Sequence, residues 1–308
     1  MSKIFLLFAI LFSASAWAQE ALKIVVPYAP GGPADLIARV VQKDLSQALA
    51  RPILVEYKQG AGGDVGAAAV ADSDPRRTVL LIHSVGLVIN QAAKKSAYDE
   101  QNLKPLFNMG TQPLVLVVPK NSALADFKSW QALSADTVVN YGSSGVGSST
   151  HIAGEILTQK LGKKLSHIPY RGQGQVIPGL LGNTIDAAFL FAFQAVPYIE
   201  SGQLVPVAVV SPSRLASLPH VPTFGELGIS DLDFRPWWVV IANNSSNSKE
   251  LQQIQQTLQQ ILIENRDNPV YKNLGLEEPD VRILPGDFLT SEKARFGNII
   301  KQTNVSLE

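Results

Sequence analysis

Two glycine-rich turns, each following an apolar run, are the stretches of this chain best suited to hold an anion. Pro27-Tyr28-Ala29-Pro30-Gly31-Gly32-Pro33-Ala34-Asp35 follows the run 22–26, and Gly60-Ala61-Gly62-Gly63 follows the run 52–57. Glycines let the backbone approach another group closely, and a helix starting just past them aims its first N–H groups at the same point. Those donors, with the positive end of the helix dipole, suit a carboxylate or phosphate. Neither turn carries a basic residue among its glycines, and Lys58 stands just before the second. Backbone donors would therefore do most of the binding. An ordinary strand-to-helix connection has the same composition, but two copies in one open sheet would face the same edge. There they could grip one anionic group from two sides.

Other turns extend the candidate site. Ser84-Val85-Gly86 ends the apolar segment 78–83, where His83 reads as a capped or half-buried strand-end histidine. Gly142-Ser143-Ser144-Gly145-Val146-Gly147-Ser148-Ser149-Thr150-His151 opens a helix over 152–161. Its hydroxyls could cap that helix or face a ligand held by the first turns. Tyr170-Arg171-Gly172-Gln173-Gly174 carries the one arginine placed near a site, although an arginine at a strand end is commonly a solvated surface residue. Asp186 interrupts the apolar run 185–191 near its start, where an aspartate commonly bonds a backbone donor.

The elements that must position these turns alternate strand and helix. The continuous apolar run 114–118, stopped by Pro119, reads as a strand buried on both faces. Segments 138–141, 165–169, 185–191 and 204–210 read as further strands, with Pro206 asking for an edge position in the last. Residues 224–228 read as a short helix, and the aromatic-led run 237–241 as a strand returning to the first domain. A long helix over 250–264, with serines before it as caps, a short one over 267–274 and a terminal one over 285–305 complete the chain. The 308 residues suffice for two domains, with an expected boundary near 110.

Residues 1–18 read as a secretory signal peptide, with Lys3, an apolar run 4–12 and Ala16-Trp17-Ala18 as the cleavage site. No later stretch approaches the ~20 apolar residues of a membrane span, so the mature protein is expected to be soluble. The chain has no cysteine, so the exported fold must rely on its core. Charge is balanced at 26 basic and 26 acidic residues, with no basic-aromatic patch for nucleic acid. The histidines, His83, His151, His167 and His220, are spaced too widely to suggest a metal. Gly60 to Gly66 fits a loose dinucleotide fingerprint, but the acid wanted at the end of the next strand is replaced by His83-Ser84. Ser143 and Ser144 do not sit in Gly-x-Ser-x-Gly, because Val146 holds the last place.

Together, Pro27 to Asp35, Gly60 to Gly63, Tyr141 to Ser148, His151 to Glu155, Pro169 to Gly172 and Val221-Pro222-Thr223 with Glu226 and Gly228 resemble the Bug-type periplasmic solute receptors of tripartite tricarboxylate transporters. The resemblance covers nearly the whole mature chain in order. It departs at Tyr57-Lys58-Gln59, where the family commonly has Asn-Arg-Pro, and at Ala242 to Asn247. It implies an α/β, two-lobed type II periplasmic binding-protein fold, each lobe a mixed sheet flanked by helices, with a ligand cleft between the lobes. The implied lobes are 19–110 with 225–308, and 111–224. The implied protein is a periplasmic monomer without catalysis or cofactor. It closes over a small carboxylate-bearing ligand and delivers it to membrane permease subunits or presents it to a sensor kinase. Tyr28, Ala29, Pro30, Gly31, Gly32 and Asp35, with Gly60, Ala61, Gly62 and Gly63, would pinch one carboxylate. Ser144, Gly147, Ser148 and Asp186 would lie on the opposing lobe and help choose the rest, while Ser84, His151 and Arg171 stand as further candidate contacts from their own turns. Bulky replacement of Gly31 or Gly62 is expected to abolish binding.

Overall fold

The computed structural model describes residues 21–303 apart from 94, 95, 97, 233 and 279–281. The expected leader at 1–18 and the end of the expected 285–305 helix lie outside the described residues. The chain runs β1 (Leu22–Val26), α1 (Pro33–Leu49), β2 (Ile53–Tyr57), α2 (Asp64–Ala71), β3 (Val79–Ser84), α3 (Gly86–Ala93) and β4 (Leu103–Thr111). It continues with β5 (Leu114–Pro119), α4 (Phe127–Gln131), β6 (Val138–Ser143), α5 (Ser149–Leu161), β7 (Lys164–Pro169), α6 (Gln173–Leu181), β8 (Ala187–Phe191), α7 (Ala192–Glu200) and β9 (Leu204–Val210). It ends with β10 (Trp237–Asn243), α8 (Ser248–Glu264), α9 (Pro269–Lys272) and α10 (Phe288–Thr303).

The strands form two sheets, ordered β2-β1-β3-β10-β4 and β7-β6-β8-β5-β9. β1, β2 and β3 run parallel, as do β6, β7 and β8, because each is followed by a helix that returns the chain to the same end. β10 is antiparallel to both β3 and β4, and β5 to both β8 and β9. Each sheet is therefore mixed, and the turns after its parallel strands gather at one edge.

Burial on both faces explains the unbroken apolar run of β5. Leu114, Leu116 and Val118 pack into the core shared with the first sheet, with Phe127 and Trp130, while Val115 and Val117 pack into a second core with Val176 and Leu180 of α6. That is the alternation of a pleated strand, with apolar residues wanted on both sides. β9 is an edge strand, and Pro206 sits where its pairing with β5 shifts register, the kind of position at which a sheet tolerates proline. The helices bury one face each. Ile37, Ala38, Val41 and Leu45 of α1 and Leu251, Ile254, Leu258 and Ile261 of α8 recur at helical spacing.

Two local expectations are corrected. Residues 224–228 form turns rather than a helix. Thr223 Oγ1 accepts from the Glu226 N–H at 3.0 Å and the Glu226 carboxylate accepts from the Thr223 N–H at 2.7 Å, a reciprocal cap that stabilises one turn and no more. The cap of α8 is Asn247, whose side-chain oxygen accepts from the N–H groups of Lys249 and Glu250, rather than a serine.

Two connections join the sheets, the short one from β4 to β5 and the long one from β9 to β10. Gln112 pins both. Its N–H donates to the Pro236 carbonyl at 2.8 Å, its Oε1 accepts from the Trp238 indole at 2.6 Å, and its Nε2 donates to the Leu274 carbonyl. Gln112 is buried, so Gln112→Leu strands the indole N–H and the carbonyl without partners. We expect a loss of about 2–4 kcal/mol in urea-induced unfolding for this variant.

Candidate functional site

The two turn-bearing edges face each other across the cleft. Tyr28 follows β1, Ser84 ends β3 and Trp238 lies near the start of antiparallel β10, so all three reach the same edge of the first sheet. Opposite them, Ser144 follows β6 and Phe191 ends β8. These five residues line a buried cavity with Gly32, Pro33, Ala34, Ser148, Ser149 and Gln173. Its volume is ≈ 20 Å³, room for about one water molecule, so the lobes are closed.

Three helices begin at this cavity. Gly32, Pro33 and Ala34 open α1, Ser148 and Ser149 open α5, and Gln173 opens α6. No side chain caps α1 or α6, which leaves first-turn N–H donors uncommitted to a cap. Ser148 caps α5 by accepting from the His151 N–H at 3.2 Å. Among the described residues lining the cavity there is no lysine, arginine, histidine, aspartate or glutamate. Positive potential here comes from helix ends, each equivalent to roughly half a unit charge.

The hydroxyls are held in a network. Thr150 Oγ1 accepts from the Ser144 N–H at 2.9 Å and lies 3.1 Å from Ser144 Oγ and 3.0 Å from Ser148 Oγ. Ser144 Oγ donates to Gln173 Oε1 at 3.0 Å, and Gln173 Nε2 donates to the Phe189 carbonyl at 3.2 Å. Burial raises the Tyr28 phenol pKa further above its usual range, with the Asp64 charge adding, and its hydroxyl donates to the Gly62 carbonyl at 3.2 Å. It stays a neutral donor at any ordinary pH.

Of the residues singled out from sequence, Tyr28, Gly32, Ser84, Ser144 and Ser148 line the cavity. The others lie around it or away from it. Ala29 is buried and its N–H donates to the Arg171 carbonyl at 3.0 Å, a backbone bond between lobes, while the Arg171 side chain is exposed. Pro30 and Gly31 are exposed at the rim, where Gln194 Nε2 of α7 donates to the Gly31 carbonyl at 3.1 Å. Asp35 turns back into its own loop: it accepts from the Gly31 N–H at 2.8 Å, from Arg39 Nε at 2.8 Å and from the Tyr57 hydroxyl at 2.7 Å. The Tyr57 that departs from the family pattern thus braces the first turn. Asp186 is exposed at the far end of β8, about 16 Å of strand from Phe191, beside a groove of ≈ 630 Å³ on the opposite edge of the second lobe. Its carboxylate accepts from the Asn140 N–H at 2.8 Å.

The second glycine turn, Gly60 to Gly63 with Ala61, does not line the cavity; it meets the other lobe. A Cβ built at Gly62 collides with the Val146 carbonyl oxygen, and one at Gly147 collides with Asn90 Oδ1. Both glycines have positive φ, +66° and +79°. Asn90 in turn donates to the Ala61 carbonyl at 3.3 Å. A Cβ at Gly31, by contrast, meets nothing within 4 Å, so Gly31 is constrained by its φ of +85° and not by space.

His151 is buried beneath the 142–148 turn, with Nδ1 accepting from the Gly147 N–H at 3.0 Å and its ring stacked on His167 at 3.8 Å. Burial and then the neighbouring His167 push its pKa down to about 3. Burial alone takes His167 to about 4, and its Nε2 lies 2.6 Å from Ser143 Oγ. These histidines are neutral supports of the turn, outside the cavity lining.

Pro33, Ala34, Ser149, Gln173, Phe191 and Trp238 also line the cavity without being candidates from sequence, although the first four stand inside candidate turns. Phe191 and Trp238 read as core because their strands are apolar, and nothing local marks where such a strand ends at a cleft.

Two mixed α/β sheets whose turn-bearing edges face each other across a small shared cavity define a two-lobed binding protein of the type II periplasmic fold. The chain belongs to the tripartite tricarboxylate transporter family of receptors (TctC), whose family model matches residues 37–305. It is 31% identical to a UPF0065 protein from the TAR-I ttuE-ttuC' intergenic region of Agrobacterium vitis over 72% of this chain, spanning 65% of that relative's length. It is 27% identical to Protein BugT of Bordetella pertussis, covering 96% of this chain and 93% of that one. The structure of the periplasmic binding protein BugD superposes with a TM-score of 0.86 at 24% identity, covering 94% of this chain and 99% of that one. An R. palustris protein solved with adipate superposes with a TM-score of 0.85 at 20% identity, over 94% of this chain and 99% of that one. The family is one of solute receptors rather than enzymes.

Gly62→Ala and Gly147→Ala should hold the lobes apart. Small-angle scattering should show a larger radius of gyration for both variants than for the parent, with far-UV circular dichroism unchanged. The pH response has a definite sign. His83 is fully buried and its pKa falls from 6.5 to about 4, chiefly by desolvation, partly offset by backbone hydrogen bonds at Ser84 and Gly63. The unfolded chain therefore binds the proton first. This contribution to stability is complete above about pH 6.5 and is lost as pH falls towards 4, at about 1.4 kcal/mol per pH unit. Urea titrations between those values should show the overall slope reduced by about that amount in His83→Asn, with His151 and His167, also lowered by burial, supplying slope of the same sign.

Proposed function

We propose that this protein is an extracytoplasmic solute receptor that closes its two lobes over one small carboxylate-bearing ligand and delivers it to the membrane subunits of a tripartite tricarboxylate transporter. The supporting observation is the convergence of three helix N-termini and a set of oriented hydroxyls on one buried cavity between lobes. Such a site favours an anion through fixed dipoles and needs no bound cation. The relative solved with adipate supports a carboxylate as the anion, as does the receptor family itself.

In this reading the lobes are 19–110 with 225–308, and 111–224, and the chain acts as a periplasmic monomer after removal of residues 1–18. Ligand contacts fall to Tyr28, Gly32, Ser84, Ser144, Ser148, Ser149 and Gln173, with Phe191 and Trp238 as apolar walls. Gly62 and Gly147 serve closure, and Asp35 and His151 hold the turns in shape. Ligand that touches both lobes shifts the open-closed equilibrium towards closed, and the closed form is what a membrane partner would read.

A thermal-shift screen tests this directly, with mono-, di- and tricarboxylates, acidic amino acids, aromatic acids and nicotinamide cofactors. A ligand at a hundred times its Kd stabilises the native state by about 2.7 kcal/mol, a shift easily read. We expect a shift with carboxylates, lost in Gly62→Ala. A shift with a nicotinamide dinucleotide alone would refute the receptor reading.

A further inference from the structure

We infer that the ligand is a compact monocarboxylate with one neutral hydrogen-bonding group on an otherwise apolar body, and that Ser84 selects that group. The inference rests on the receptor reading above and narrows it. The cavity has two unlike sides. On one, the first turns of α1, α5 and α6 meet the hydroxyls of Ser144 and Ser148 and the amide of Gln173. On the other, the Trp238 ring lies 5.6 Å from Phe191 and 6.5 Å, edge-on, from Tyr28, all three buried.

Charge decides how many carboxylates the cavity takes. Three helix ends supply about one and a half unit charges in total, enough to balance one carboxylate and not two. No ionised side chain of the described lining residues makes up the difference. The nearby guanidinium of Arg39 is engaged by Asp35, outside the lining. A second carboxylate would face Trp238, Phe191 and a phenol already committed to the Gly62 carbonyl, and burying an unpaired charge there is strongly unfavourable.

Ser84 is the second, independent observation. It stands across the β3–β10 ladder from Trp238, on the aromatic side. It is 3% exposed, and its Oγ is buried without a hydrogen-bond partner in a cavity that it lines. The hydroxyls on the other side, by contrast, bond one another or their helix ends. A buried hydroxyl is rarely left unsatisfied, so this one is set for a group carried by the ligand. Being neutral, and both donor and acceptor, it suits a hydroxyl, carbonyl or amide rather than a charge.

Isothermal titration calorimetry on the mature protein tests both halves, with butyrate, 3-hydroxybutyrate, benzoate and 3-hydroxybenzoate against succinate, glutarate and malate. We expect at least one monocarboxylate to bind about 100-fold or more tighter than every dicarboxylate. We also expect its hydroxylated form to be preferred, with that preference reduced about tenfold in Ser84→Ala. The preference ratio is unaffected by a general loss of stability in the variant, and the first comparison needs no variant. Dicarboxylates binding as tightly as monocarboxylates overturn the inference and leave the receptor reading standing. An unchanged ratio in Ser84→Ala overturns the role of Ser84. Failure of every carboxylate, here and in the broad screen, overturns the receptor reading with it.

Discussion

The closed arrangement depends on bare backbone making close contact between lobes. Gly62 lies against the Val146 carbonyl, Gly147 against the Asn90 side chain, and the Ala29 N–H bonds the Arg171 carbonyl. Each contact requires that no Cβ intervene or that a main-chain donor be exposed at a turn, and both follow from glycine-rich turns at strand ends. Close approach is what brings three helix N-termini to one point. Pushed a few ångströms apart, the same dipoles would face water, where their effect on an anion is small.

The electrostatics of the site are correspondingly indirect. No cation lines the cavity among the described residues, and the buried tyrosine and histidines around it are held in their neutral forms by desolvation. Fixed dipoles cannot move away or be screened by rearrangement as a flexible lysine can. The shape of the cavity in turn rests on supports outside it: Asp35 with Arg39 and Tyr57 under the first turn, and His151 under the 142–148 turn. The connections between the sheets add a further support, because Gln112 ties both of them to Trp238, which is itself a wall of the cavity. The connections between the lobes and the shape of the site thus share residues.

Much of this was legible in the amino-acid order. Apolar runs ended by glycines give strands and turns, and parallel strand-turn-helix units must gather their turns at one edge. Tyr28, Gly32, Ser84, Ser144 and Ser148 were accordingly singled out and do line the cavity. Positions that depend on distance rather than pattern were not legible there. Asp186 precedes its strand, and the length of β8 carries it to the opposite edge from the cleft. Gly60 to Gly63 has the composition of an anion-binding turn, yet packing sets it against the other lobe.

By itself, the sequence determined the element types, the edge to which the turns belong and the absence of cationic residues among the glycines, because these follow from local periodicity and backbone freedom. Only the tertiary structure decided that Trp238, Phe191 and Gln173 share a cavity with Ser84, that Asp35 and His151 brace turns outside the lining, and that Gly62 and Gly147 pack against Val146 and Asn90 of the facing lobe. Those facts belong to the relative placement of two sheets. No local pattern encodes that placement, because it is set by contacts between residues far apart in the chain.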